Sequence, residues 1–112
     1  MTDIDAFGHD PQVRYMRRIF ALIEAAQNLF LESANISPID ERLRQARLEA
    51  LKLFERSWME VSQRTGASAD DVAADIYLMC LSRALSLNGF EIPDKALPQN
   101  RDLKKLVDEV LK

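Results

Sequence analysis

Residues 43–57 read LRQARLEALKLFERS, and small or apolar side chains recur through this stretch at intervals of three and four residues. The positions that form this stripe are Leu43, Ala46, Ala50, Leu53 and Ser57. Such spacing is typical of the seam between two helices that pack side by side. The stretch therefore predicts a long helix that pairs with an antiparallel neighbour.

Start and stop signals on either side of this stripe divide the chain into helices. The Ser37-Pro38 pair is typical of a helix start, and Gly66 is typical of a helix end. Ser68 and Asp71 resemble a capping box, whereas Phe90–Gln99, which contains two prolines, is expected to be extended. Together with the apolar periodicity, these signals predict helices over residues 10–33, 38–65, 68–88 and 100–111.

The expected fold is all-α: a compact bundle of three long antiparallel helices plus a short C-terminal helix. Residues 1–112 are expected to form a single helical domain, in which residues 1–9 are a mobile N-terminal segment. The apolar side chains of the first helix cover an arc of about 200°, which predicts contact with more than one neighbour. The third helix is apolar nearly all round, which predicts a central position.

Composition and charge exclude several classes of protein. The chain has 112 residues, of which 47% are hydrophobic and 29% charged, which is typical of a folded globular domain and excludes disordered and collagen-like chains. The net charge of −3 gives no reason to expect binding to nucleic acid or to an anionic membrane. No apolar run approaches the ~20 residues that span a bilayer. With a single cysteine and no signal-peptide pattern, the sequence predicts a cytoplasmic protein.

Residues for catalysis or metal binding are scarce. His9 is the only histidine and precedes the first helix, and Cys80 lies in an apolar stretch typical of a core thiol. The chain has no nucleophile elbow and no glycine-rich phosphate loop. We therefore predict no catalytic residue, no metal ligand and no cofactor. A small helical enzyme or cofactor binder without a recognisable motif stays open as an alternative.

Residues Val61–Ser68, VSQRTGAS, followed by apolar Val72 and Ile76, resemble the helix-turn-helix of DNA-binding regulators. The resemblance implies that the following helix would enter the major groove. That helix begins with acidic residues and has no Lys or Arg before Arg83, so it would bring carboxylates towards phosphates. The sequence therefore favours a capped turn between two helices, and nucleic-acid binding through this turn is the alternative function.

Two arginine clusters are interleaved with acidic residues, which predicts solvated and ion-paired surfaces. An acidic partner or RNA is the alternative ligand for them. The clusters consist of Arg14, Arg17 and Arg18 on the first helix and Arg42, Arg44 and Arg47 on the second.

A contact surface is predicted on the second helix. Leu48 and Met59 lie about three turns apart on its charged face, beside Lys52 and Glu55. Isolated exposed apolar residues, or cover by residues 90–99, would also account for this pair. The leading hypothesis is a non-enzymatic, homodimeric protein-interaction module that uses these four residues. Arg83 would be the polar residue that fixes the register of the interface.

The polar residues Gln27 and Arg83 lie among apolar neighbours in the first and third helices. A buried polar group needs a hydrogen-bond partner. An intrachain hydrogen bond, or a long side chain that reaches solvent, is favoured over a role at an interface.

Overall fold

The computed structural model describes residues 11–112, so the predicted mobile segment at residues 1–9, with His9, lies outside the described residues. A short 3-10 turn at Asp94–Ala96 interrupts the segment that was expected to be extended. The described residues contain no strand, which confirms the all-α bundle. The helices are α1 (Pro11–Ser33), α2 (Glu41–Thr65), α3 (Ala69–Leu87) and α4 (Arg101–Val110).

The predicted start of α2 at residue 38 is wrong by three residues. Helix α2 begins at Glu41, because the Asp40 side chain accepts a hydrogen bond from the backbone N–H of Arg42 at 3.0 Å. Pro38 instead lies in a turn that is closed by a hydrogen bond from the Asp40 N–H to the Ser37 carbonyl oxygen. Both Ser37 and Asp40 are suitable N-cap residues, and the chain uses the second.

Two of the other predicted helix ends are confirmed. Gly66 ends α2 with φ 71°, a left-handed conformation that glycine adopts without strain. The Asn100 side chain caps α4 by accepting a hydrogen bond from the Leu103 N–H at 3.1 Å. The capping box at Ser68 is wrong, because the Ser68 side chain makes no capping hydrogen bond; its carbonyl oxygen accepts from the Asp71 N–H instead.

Helices α2 and α3 form the antiparallel hairpin that the stripe in residues 43–57 predicts. The hydroxyl of Ser57 lies 3.7 Å from the Sγ of Cys80 in the middle of their interface. Small side chains on both helices allow the two backbones to approach closely. The fully buried small residues are Ala46, Ala50 and Ser57 on α2 and Ala73, Cys80 and Ala84 on α3.

Helix α3 contacts each of the other three helices, which confirms its predicted central position. Helix α4 packs on α2 and α3, where Glu109 forms an ion pair with Arg64 of α2 at 3.6 Å. Helix α1 packs mainly on α3 and runs parallel to it, as the contacts of Arg18 with Asp70 and of Gln27 with Tyr77 show. Helices α1 and α4 therefore pack against the α2–α3 hairpin at two separate places.

Helix α1 contacts both α3 and α2, which confirms the prediction of more than one neighbour, but part of its apolar arc stays exposed. Helix α1 buries five residues, whereas four of its large apolar residues are exposed, two of them on the same face as the buried ones and two on another face. The rings of Tyr15 and Trp58 stack between α1 and α2, so the two helix backbones do not approach closely there. The buried residues are Ile19, Ile23, Gln27, Phe30 and Leu31, and the exposed apolar ones are Met16, Phe20, Leu22 and Leu29.

Candidate interaction surface

An apolar groove of about 690 Å³ lies between the first half of α1 and the last half of α2. Met16 and Phe20 of α1 form one wall, and Met59 of α2 forms the other. About half of the Phe20 and Met59 side chains is exposed, 49% and 53% respectively. Sequence reasoning identified Met59 but assigned Met16 and Phe20 to the buried arc of the first helix. We refer to this feature as the α1–α2 groove.

Trp58 forms the floor of the α1–α2 groove, and its contacts fix the position of its ring. Its indole ring stacks on Phe54 with ring centres 4.9 Å apart, and on Tyr15 with ring centres 6.2 Å apart. The indole Nε1–H donates a hydrogen bond to the carbonyl oxygen of Ala69 at 2.9 Å. The groove is therefore preformed by a tryptophan anchored to both α1 and the start of α3.

The structure brings four of the five predicted surface residues onto one face of α2. Leu48, Lys52, Glu55 and Met59 are all exposed, and follow each other at intervals of four, three and four residues. Leu48 is 51% exposed, so residues 90–99 do not cover this face. We call these four residues the α2 strip.

Arg83 lies apart from the α2 strip. Its guanidinium on α3 forms an ion pair with Asp108 of α4, and it borders a small cleft with Leu97 and Pro98. Arg83 therefore has an ion-pair partner within the chain. Gln27 has an intrachain partner as well, because its Oε1 accepts a hydrogen bond from the hydroxyl of Tyr77 at 2.5 Å. These contacts match the intrachain hydrogen bonding favoured for both residues.

The arginines of the first cluster differ in their contacts. Arg18 forms an ion pair with Asp70 at 2.7 Å, which connects α1 to the first turn of α3. The hydrogen bond and charge of the Asp70 carboxylate raise the pKa of Tyr15. Arg17 lies at the rim of the α1–α2 groove and makes no ion pair within residues 11–112.

In the second cluster, Arg42 is bonded to the Asp40 carboxylate and lies over the ring of Phe90, 4.1 Å from its centre. The hydrogen bonds from Arg42 lower the pKa of Asp40. Arg44 and Arg47 make no ion pair within the described part of the chain. They line a second cleft at the start of α2, which is partly apolar and includes Leu48. The prediction of ion-paired arginine surfaces is thus confirmed for Arg18 and Arg42 and not for Arg17, Arg44 and Arg47.

Cys80 is fully buried between α2 and α3. Burial raises the pKa of its thiol from 9.0 to about 11, and this effect outweighs the opposing effect of the hydrogen bond between Cys80 and Ser57. Because the thiolate is the reactive form, the folded protein suppresses the reactivity of this thiol.

At pH 8, we expect Cys80 to react with Ellman's reagent more slowly in the folded protein than in the denatured chain, by roughly tenfold or more. The reason is that burial shields the thiol and the raised pKa lowers the fraction of thiolate. The rate is measured by the absorbance of the released thionitrobenzoate. Equal rates in the two states would show that this thiol is accessible and contradict its assignment to the core.

Within residues 11–112, no three His, Cys, Asp or Glu side chains come together in a way that could hold a metal ion. None of the described helices has both the length and the apolarity needed to cross a membrane. Comparison with protein-family models, curated proteins and solved structures finds no match to the chain.

Proposed function

We propose that this protein is a non-enzymatic, homodimeric protein-interaction module of the cytoplasm. The observation that carries the proposal is the α1–α2 groove, in which Met16, Phe20 and Met59 present apolar surface to solvent above the buried Trp58. Contiguous exposed apolar surface of this kind is typical of sites where a protein partner binds.

The shape and composition of the groove favour a helix as its occupant. It lies between two helices, and an amphipathic helix placed there would bury its apolar side against both walls. Methionine side chains on both walls are flexible and adapt to the side chains of a partner. Trp58 and Phe20 supply the large aromatic surface that contributes most to binding at protein interfaces.

The charges around the groove favour a protein over a polyanion. Among the described residues, Arg17 is the charged side chain that lines the groove, and exposed residues of both signs lie further along the same two helices, at Glu24, Lys52 and Glu55. Nucleic acid binds to surfaces where basic residues predominate. At the helix-turn-helix-like turn, the first turn of α3 carries Asp70 and Asp71, and carboxylates at this position oppose contact with phosphates, which favours a protein partner over nucleic acid.

We expect the wild-type chain to form a dimer, and the double variant Phe20→Glu with Met59→Glu to be a monomer that keeps its helical circular dichroism. Two carboxylates in the groove would be desolvated in the dimer but remain hydrated in the monomer. The mass in solution is measured by analytical ultracentrifugation or by size-exclusion chromatography with light scattering.

Leu29→Glu is the matched control, because Leu29 lies on the opposite flank of α1 and is 70% exposed. This variant is expected to remain dimeric. A wild-type chain that stays monomeric up to about 1 mM, where association would contribute only about −4 kcal/mol, would overturn the proposal.

A further inference from the structure

We infer that the second cleft, at the start of α2, binds a helical segment of a partner protein in which acidic side chains lie beside apolar ones. Arg44 and Arg47 would bind the carboxylates of that segment, and Leu48 would pack against its apolar side chains. Among the described residues, this cleft and the α1–α2 groove have no lining residue in common, so the site is separate from the proposed dimer interface.

The second cleft has a volume of about 690 Å³, which is within the range typical of binding sites. It is lined by the turn that contains Pro38 and Ile39 and by the first three turns of α2. Ile39 is 88% exposed and Leu48 is 51% exposed. The cleft therefore offers apolar surface that the described part of the chain leaves uncovered.

Two arginines and two leucines of the lining share one face of α2. They lie at positions i, i+3, i+4 and i+7, which places all four on the same side of the helix over two turns. Each arginine is followed by a leucine one turn later, Arg44 by Leu48 and Arg47 by Leu51. A partner helix that lies along this face would meet positive charge and apolar surface side by side. Its own face would have to combine acidic and apolar residues.

The charges of the second cleft favour an anionic partner. Within residues 11–112, neither Arg44 nor Arg47 makes an ion pair. The Asp40 carboxylate is bonded to Arg42, so it does not compensate the other two arginines. Glu41 also lines the cleft, but it lies in the first turn of α2, where the positive end of the helix dipole compensates its charge. Two guanidinium groups therefore stand beside exposed leucine without a bonded carboxylate.

The carboxylates of a protein suit this cleft better than the phosphates of a nucleic acid. An arginine binds a carboxylate through two parallel hydrogen bonds, and a peptide can place its carboxylates beside Arg44 and Arg47 alone. A nucleic acid carries a continuous row of phosphates, which would also pass Asp40 and Glu41. Among the described residues that line the cleft, none has an aromatic ring on which a base could stack. The lining therefore favours an acidic protein segment.

Two labelled synthetic peptides of about 15 residues, a length at which isolated helices begin to form, test the site. Both carry leucine along one face and alanine elsewhere, and the leucines are flanked by glutamate in one peptide and by lysine in the other. We expect the chain to bind the glutamate peptide roughly tenfold or more tightly than the lysine peptide, measured by fluorescence anisotropy at low salt. Because the net charge of −3 would favour the lysine peptide in non-specific attraction, this preference reports the two arginines.

The double variant Arg44→Glu with Arg47→Glu is expected to reverse the preference, so that the lysine peptide binds more tightly. A reversal requires a folded cleft, so it separates loss of charge from loss of structure. The matched control is Arg56→Glu with Arg101→Glu, which makes the same change in net charge at two exposed positions outside the cleft. This control is expected to keep the wild-type preference.

Binding of neither peptide, equal binding of both, or tighter binding of the lysine peptide to the wild-type chain would overturn this inference. So would a labelled single-stranded RNA of the same length that binds more tightly than the glutamate peptide through the same two arginines. The variant Phe20→Glu with Met59→Glu is expected to keep wild-type affinity for the glutamate peptide. Loss of that affinity would place the peptide in the α1–α2 groove and overturn the assignment to the second cleft.

Discussion

Replacing Trp58 by alanine is expected to lower the free energy of unfolding by about 3–5 kcal/mol, the usual cost of removing a buried tryptophan. Trp58 is the only tryptophan of the chain and contacts three parts of the fold. Its ring stacks on Phe54 and Tyr15, and its Nε1–H bonds to the Ala69 carbonyl oxygen. Truncation would leave a cavity between α1, α2 and α3 and remove the hydrogen bond from the indole to the Ala69 carbonyl oxygen. Urea denaturation followed by circular dichroism measures the loss.

Trp58→Phe separates the two contributions. Phenylalanine retains a stacked ring but lacks the N–H donor, so the expected loss is about 1–2 kcal/mol, mainly from the missing hydrogen bond. A loss below about 1 kcal/mol for Trp58→Ala would show that the α1–α2 interface does not depend on this ring. In that case, Trp58 would not hold the α1–α2 groove in its shape.

The same residue connects stability to the proposed dimer. Because Trp58 forms the floor between Phe20 and Met59, its indole would lose contact with solvent when a second copy covers the groove. Folding first builds the groove from residues of α1 and α2 that are far apart in the sequence. In the proposed dimer, association would then bury the apolar surface that folding leaves exposed.

The helices could be predicted from the sequence because their signals are local. Periodicity over residues 43–57 and the glycine at residue 66 act within a few residues of the features they determine. The start of α2 could not be located, because Ser37 and Asp40 are both competent caps and the choice depends on the turn between them. The error of three residues has a local physical cause.

The exposed positions of Leu48 and Met59 could also be predicted, because both lie off the apolar stripe of their own helix. For Phe20 and Met16, the apolar periodicity of the first helix instead predicts burial. Periodicity shows which side of a helix is apolar, but the number of neighbours that cover it depends on how closely the helices approach. Here that distance is determined by the Tyr15–Trp58 stack, which joins residues 43 positions apart in the sequence.

Gln27 illustrates the same limit for a polar residue. Its position within the apolar arc predicted burial, and Gln27 is 3% exposed. Its partner, Tyr77, is 50 residues away in the sequence. A requirement for a partner can be inferred from a single chain segment, whereas the identity of that partner depends on how α1 packs on α3.

Replacing Tyr77 by phenylalanine is expected to lower the free energy of unfolding by about 1–3 kcal/mol, because the Oε1 of Gln27 would remain buried without its donor. Burial raises the pKa of Tyr77 from 10.0 to about 12, so the hydroxyl is protonated and donates at neutral pH. Because the folded state favours the protonated phenol, this contribution is complete below pH 10 and is lost as the pH rises towards 12.

The double variant Tyr77→Phe with Gln27→Leu tests whether this cost comes from the unpaired amide. In the single variant Tyr77→Phe, the buried amide of Gln27 has lost its donor, and leucine at this position removes that amide. The double variant is therefore expected to lose less unfolding free energy than the two single variants together, by about 1 kcal/mol or more. Urea denaturation at pH 7 measures all three variants. Strictly additive losses would mean that the side chains of Gln27 and Tyr77 do not depend on each other for a hydrogen bond. Helix α1 would then be held against α3 by its buried apolar residues alone.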